Sequence, residues 1–152
     1  MSNPNVKPSD RAVVAAVIKP QSASSVQSSA YVSMGSAEGY DTVQAIICVG
    51  STASGGTVDA KLRQATTSGG AGVKDITGKA ITQLTDANGN ATQRQAIINC
   101  RSDELDVAGG FCFMKLDITP ATAASLITGL VIGHDARYQP ATDATTVAEV
   151  VG

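Results

Sequence analysis

Thr57-Val58-Asp59-Ala60-Lys61-Leu62-Arg63-Gln64-Ala65 alternates apolar and polar residues almost without a break. In an extended chain successive side chains point to opposite sides, so Val58, Ala60 and Leu62 face one way. Thr57, Asp59, Lys61 and Arg63 face the other. The first set is expected in a core, and the second forms a plausible contact or solvent surface.

The neighbouring segments extend the same theme. Upstream, Thr42 to Val49 (TVQAIICV) is a nearly continuous apolar run, as expected of a strand covered on both sides or lying centrally in a sandwich. It is joined to the alternating stretch by STASGG, a loop with the small residues that hairpins use. Farther upstream, Ala12 to Ile18 reads as a first strand ended by Pro20, and AYVSM, ending at Met34, as a weaker one.

Downstream comes the glycine-rich TSGGAGVKD, expected as a flexible loop, and then DITGKAITQLT, a short strand or irregular crossing. Asp86-Ala87-Asn88-Gly89-Asn90 is the strongest turn signal, because Asn-Gly tolerates positive φ, and a hairpin is expected there. In RQAIINC, Ala96, Ile98 and Cys100 share a face. Arg101 to Gly110 reads as a loop around Leu105 and Val107. In FCFMKLDI, Cys112, Met114, Leu116 and Ile118 alternate with Phe111, Phe113, Lys115 and Asp117 until Pro120 interrupts. ATAASL has the makings of one helical turn, and Leu130 to Tyr138 forms a last strand.

About eight short strands separated by turn chemistry predict an all-β antiparallel sandwich. A jelly roll is the specific expectation, with an open barrel as the alternative. The predicted organisation is an extended arm over 1–10 containing Pro4 and Pro8, a sandwich over 11–140 and a tail over 141–152.

A chain of 152 residues can bury a core without disulfides or metals. With no Trp and two Phe, that core must rest on Val, Ile, Leu and Ala. The net charge of −2 and the absence of any Lys or Arg run argue against nucleic acid as a partner. No apolar run is long enough for a transmembrane helix, and AVVAAVI suits a strand better than a signal-peptide core. Cys48, Cys100 and Cys112 lie in apolar segments without metal-binding spacing. They are expected as small core residues in a reducing compartment, although a bridge between neighbouring strands is open to them.

Chemistry finds few footholds. His134, the only histidine, could act as a base, but the adjacent Asp135 should point to the opposite face of a strand. The acidic Asp103, Glu104 and Asp106 could attract calcium, as could Asp86 to Asn90, which resembles an EF-hand opening but has Ile97 where the twelfth-position Glu belongs. Ser68 to Gly72 lacks the Gly-Lys-Ser/Thr of a phosphate loop. No catalytic residue, cofactor or metal is therefore expected.

The order TVDAKLRQAT, VKDITGKAITQLT, RQAIINCRSDELDVAGGFCFMKLDIT, GHDARYQPA, spanning Tyr40 to Ala141, resembles small β-sandwich head proteins of tailed bacteriophages, called decoration, cement or auxiliary capsid proteins. The resemblance implies a non-enzymatic protein on the capsid exterior, folded in the host cytoplasm, that clamps neighbouring major capsid subunits. Its partners would be the major capsid protein and further copies of itself, as a dimer or trimer, with neither nucleic acid nor membrane. The arm supplies the candidate capsid contacts Asn3, Asn5, Val6, Lys7 and Asp10. A virion accessory protein that recognises a receptor or glycan is the alternative.

Overall fold

The computed structural model describes residues 7–35, 39–88, 92–136 and 142–151. Of the arm residues, Asn3, Asn5 and Val6 lie outside the described residues, as do Gly89 to Ala91 of the Asn-Gly turn.

The chain forms two antiparallel sheets closed on one core. A one-turn helix, α1 (Pro8–Arg11), precedes β1 (Ala12–Ala23), β2 (Gln27–Ser28), β3 (Val32–Ser33), β4 (Tyr40–Thr52) and β5 (Thr57–Ala65). β6 (Lys74–Ala80), β7 (Leu84–Thr85), β8 (Arg94–Arg101), β9 (Phe113–Ala121) and β10 (Ser125–Ala136) follow. The first sheet has the order β1-β10-β4-β8. The second has the order β2-β9-β5-β6, with β3 also on β9 and β7 also on β5. Because β9 and β5 pair with each other along one side, β2 and β3 share the outer side of β9, and β6 and β7 that of β5. Each sheet is thus four strand positions wide.

The alternation that defines β5 is the alternation of burial. Val58, Ala60 and Leu62 are buried and meet Pro120, Ile118 and Leu116 across the β5–β9 ladder. Facing them, Val131, Ala45 and Ile98 line up across three strands of the first sheet. Among the described residues the core contains no aromatic ring; Met34 and Met114 join Val, Ile, Leu and Ala, and Tyr40 packs against the margin. Small side chains let the sheets close. A methyl group at inward-facing Gly129 would stand 2.8 Å from Leu116 Cδ2 and 3.0 Å from Ile118 Cδ1.

Neither proline ends its strand. Pro20 sits within β1, an edge strand, where the register with β10 shifts between Ile18 and Gln21. A bulge on an edge tolerates a missing N–H. Pro120 lies inside β9, opposite Val58. Leu116 directs both its N–H and C=O at Ser29, on the β2 side. By the period of two, Pro120 turns the same way, and β2 has already stopped opposite Ile118. No ladder bond is lost there.

Two expected hairpins are crossings between sheets. β4 and β5, joined by the STASGG turn, belong to different sheets, as do β7 and β8 on either side of the Asn-Gly segment. Asp86 to Asn88 is a 3-10 turn, and Asp86 is fastened to the neighbouring loop: Gly55 N donates to its carboxylate (3.2 Å) and its own N–H donates to Gly56 O (3.0 Å). Turn propensity marked the reversal, but the inward faces of the flanking strands decided which sheet each joined.

The glycine-rich loop does close a hairpin, β5–β6, and it is tied down. Thr66 N and Thr66 Oγ1 donate to Ala71 O, and Ala71 N donates to Thr67 Oγ1. ATAASL forms no helix: Thr122 and Ala123 form a bend, with Thr122 at φ 66°, and β10 starts at Ser125.

Candidate functional site

The candidate arm contacts Lys7 and Asp10 are exposed and drawn together by α1. Pro8 occupies the first helical position, where no N–H is needed. The Asp10 carboxylate accepts from Lys7 N at 3.0 Å. This turn seats the start of β1 at the corner where Ala12 pairs with His134.

The C-terminal segment returns to that corner. Asp143 Oδ1 accepts from Val14 N at 2.7 Å, and Ala144 N donates to Val14 O at 2.7 Å. Val14 lies on the free edge of β1, so the segment takes up one residue's worth of unpaired backbone. Its course over the sheet leaves a cleft of about 640 Å³ lined by Val17, Leu130, Thr146 and Val147, among others. Burial, with the Asp143 charge second, pushes the Tyr40 phenol above its ordinary 10.0.

Of the residues weighed for chemistry, His134 and Glu104 line one cleft, of about 430 Å³, with Thr42, Gln44, Lys79, Asn99 and Arg101. Asp135, at φ 52°, accepts from Thr42 Oγ1 at 3.4 Å. The three loop carboxylates diverge, each to its own cation. Asp103 pairs with Arg101 (2.9 Å), Glu104 with Lys79 (2.8 Å) and Asp106 with Lys74 (2.6 Å). Hydrogen bonds from Lys79 and then Arg101 N hold Glu104 below its ordinary 4.5, and those from Lys74 and Gly109 N lower Asp106. Among the described residues, no three His, Cys, Asp or Glu side chains gather where a metal could bind.

The cysteines separate. Cys100 is core, and burial pushes its thiol up to about 11. Cys112 is half-buried just before β9, its thiol 4.0 Å from Thr66 O. Cys48 is not core: it lies half-buried on the outward side of β4.

The polar row of β5 is already engaged by its own chain. Gln83 donates to Asp59 at 2.7 Å, and Lys61 and Arg63 both bind Asp75, at 2.8 and 3.0 Å. Hydrogen bonding from Lys61 is the leading cause that lowers the Asp75 carboxyl. Asp117, expected on the polar side of β9, is only 3% exposed. Lys115 (3.1 Å), Arg63 (3.6 Å) and the Ser28 hydroxyl (2.6 Å) surround it. A buried carboxylate is tolerated because cations and a hydroxyl compensate its charge.

The surface that sequence reasoning missed is the outside of the first sheet. Val17, Leu130, Ile46 and Ile97 form one row across all four strands. Ile97 is 56% exposed and Leu126, near the end of the same face, 49%. The apolar run TVQAIICV suggested cover on both sides of β4, yet its burial alternates: Val43, Ala45, Ile47 and Val49 are buried, and Gln44, Ile46 and Cys48 only half so. The available signal was Gln95-Ala96-Ile97-Ile98-Asn99, where inward Ala96 and Ile98 force Ile97 outward.

No family model, no curated protein and no solved structure matches this chain.

Proposed function

We propose that this protein is a non-enzymatic decoration or cement protein of a tailed-bacteriophage head. It folds in the host cytoplasm, binds the capsid exterior and stabilises contacts between major capsid subunits. The observation that carries this reading is the meeting of both terminal segments at one corner, with α1 presenting exposed Lys7 and Asp10 and Asp143–Ala144 clasped to Val14. Extensions rooted together beside a rigid sandwich can reach a neighbouring subunit, at an entropy cost for each residue they order.

The strand order supports a jelly roll within this reading. With β2/β3 and β6/β7 each counted as one interrupted strand, eight strands divide into two four-stranded sheets, the chain changes sheet at every connection except the β5–β6 hairpin, and β1 pairs with β10. Such a strand order is the one expected of two Greek keys wrapped into one sandwich.

The test is to add purified full-length protein to phage heads that lack it and examine the particles by electron microscopy. Copies at regular lattice positions on the outer surface, with raised resistance of the heads to heating, are the expected result. Absence of lattice binding, or localisation to the tail, overturns the proposal. Removing residues 1–10 should weaken attachment while the thermal unfolding of the sandwich is retained.

A further inference from the structure

We infer that the outer face of the β1-β10-β4-β8 sheet is the seat of a second copy of this chain, packed face to face about a two-fold axis parallel to the strands. The inference gives a surface and a symmetry to the self-association that the resemblance implies, and it is argued from the face alone, without the capsid. Its first support is charge. The outward positions of β4, β8 and β10 alternate from Thr42 to Gly50, Gln95 to Arg101 and Leu126 to His134. Arg101 is the formal charge among them, Asp135 stands beside Thr42 at the same end, and Lys19 of β1 stands toward the other end, so formal charge is confined to the margins of the face. A patch that meets its own copy meets its own sign, so charges near the axis repel. A foreign partner imposes no such neutrality, because it can supply the opposite charge. Charge depletion with apolar residues at the centre is also the composition of an interface core.

The second support is register. An axis along the strands sets β1 of one copy over β8 of the other and β10 over β4. Each cross-strand row then meets itself in reverse, and Val17-Leu130-Ile46-Ile97 faces Ile97-Ile46-Leu130-Val17. Leu130 and Ile46 meet at the two central places, and at each margin Ile97 meets Val17 and the segment beside it. The ridge made by Thr145 to Val147 beside Val17 would lie over the partner's Ile97, the most exposed member of the row. An axis across the strands would set ridge against ridge.

The third support is size. Nine residues of β4 at about 3.3 Å each span about 30 Å, and three uncovered strands at about 4.8 Å spacing span about 15 Å. The resulting plan area of roughly 450 Å² per copy, increased by side-chain relief, brings the total close to the ~1,000 Å² that specific interfaces clear.

The test is sedimentation equilibrium of the full chain between about 1 and 200 μM, with Ile97→Lys, Leu126→Lys and, on the other sheet, Lys61→Glu. The wild type is expected at twice the 15.3 kDa chain mass at the upper concentrations. Each lysine variant should weaken dimerisation at least tenfold, and Lys61→Glu should leave it within about twofold. Thermal melts verify that every variant is folded. In parallel, alkylation of Cys48, read by peptide mass spectrometry, should slow as the wild type is concentrated but stay constant in Ile97→Lys. A wild type that remains at single-chain mass, a trimer, or a dimer lost with Lys61→Glu and kept with Ile97→Lys overturns the inference.

Discussion

The two sheets share one core but present unlike exteriors. Across the outside of the second sheet, Ser28, Asp117, Arg63 and Asp75 form a chain of hydrogen bonds and ion pairs over four strand positions. At the same place on the first sheet stand Val17, Leu130, Ile46 and Ile97, with no polar partner required. In one exterior each strand's side chains satisfy those of the next, leaving little unmet demand for a partner. In the other, aliphatic groups remain at the water boundary, where covering them is favourable by about 25 cal/mol per Å². A protein that binds through a sheet face gains more from the second kind of surface.

The largest expected effect comes from breaking the polar exterior at its buried anchor. Asp117→Ala leaves Lys115 and Arg63 without their shared carboxylate and should lower unfolding stability by about 3 kcal/mol in urea titrations. Asp117→Asn, which keeps an acceptor for Ser28, should cost less. Next is the interior common to both sheets: Gly129→Val drives a branched side chain into Leu116 and Ile118 and should cost about 2 kcal/mol by the same measurement. On the apolar exterior the balance reverses. Ile97→Lys should alter the stability of a single copy by no more than about 0.5 kcal/mol, as expected of an exposed position.

The smallest effect is on pH dependence. Asp75 and Glu104 are depressed below their ordinary 3.8 and 4.5, so their ion pairs contribute stability above those values and lose it as pH falls through the lowered ones. Both are largely exposed, and the contribution is small. Asp75→Asn should slightly flatten the acid limb of stability below about pH 4, as read from melting temperatures, and leave the neutral region almost unchanged. Cys100 acts at the other end of the scale. Because burial raises its thiol from 9.0 to about 11, stability should decline as pH rises through that interval, and Cys100→Ser should reduce the decline.

Much of the sandwich was legible where one face is dry and the other wet. Val58, Ala60 and Leu62, and likewise Met114, Leu116 and Ile118, declared their direction by simple alternation. Pairing was less legible, because local chemistry does not say which strand lies alongside. Asp86 to Asn88 turns the chain, but β7 joins β5 while β8 joins β4. Prolines misled for a related reason: the harm of a missing N–H depends on whether a neighbour needs it, and at Pro20 and Pro120 none does. Asp117 looked like a surface residue because the lysine, arginine and serine that make its burial possible come from three strands. The resemblance points to Lys7 and Asp10 as members of an arm, and their proximity follows from the single helical turn that Pro8 begins.

The pairing of β1 with β10 has a consequence for synthesis. Among the described strands, β1 is made before all the others and its ladder partner β10 after them, and Asp143 fastens β1 later still. At about 5–20 residues per second, β1 waits several seconds for that partner. A chain cut short before Ser125 leaves β1 unpaired and β4 without its middle neighbour, exposing two long strand edges to chaperones or to one another. The sandwich therefore closes only after β10 and Asp143 have both been made.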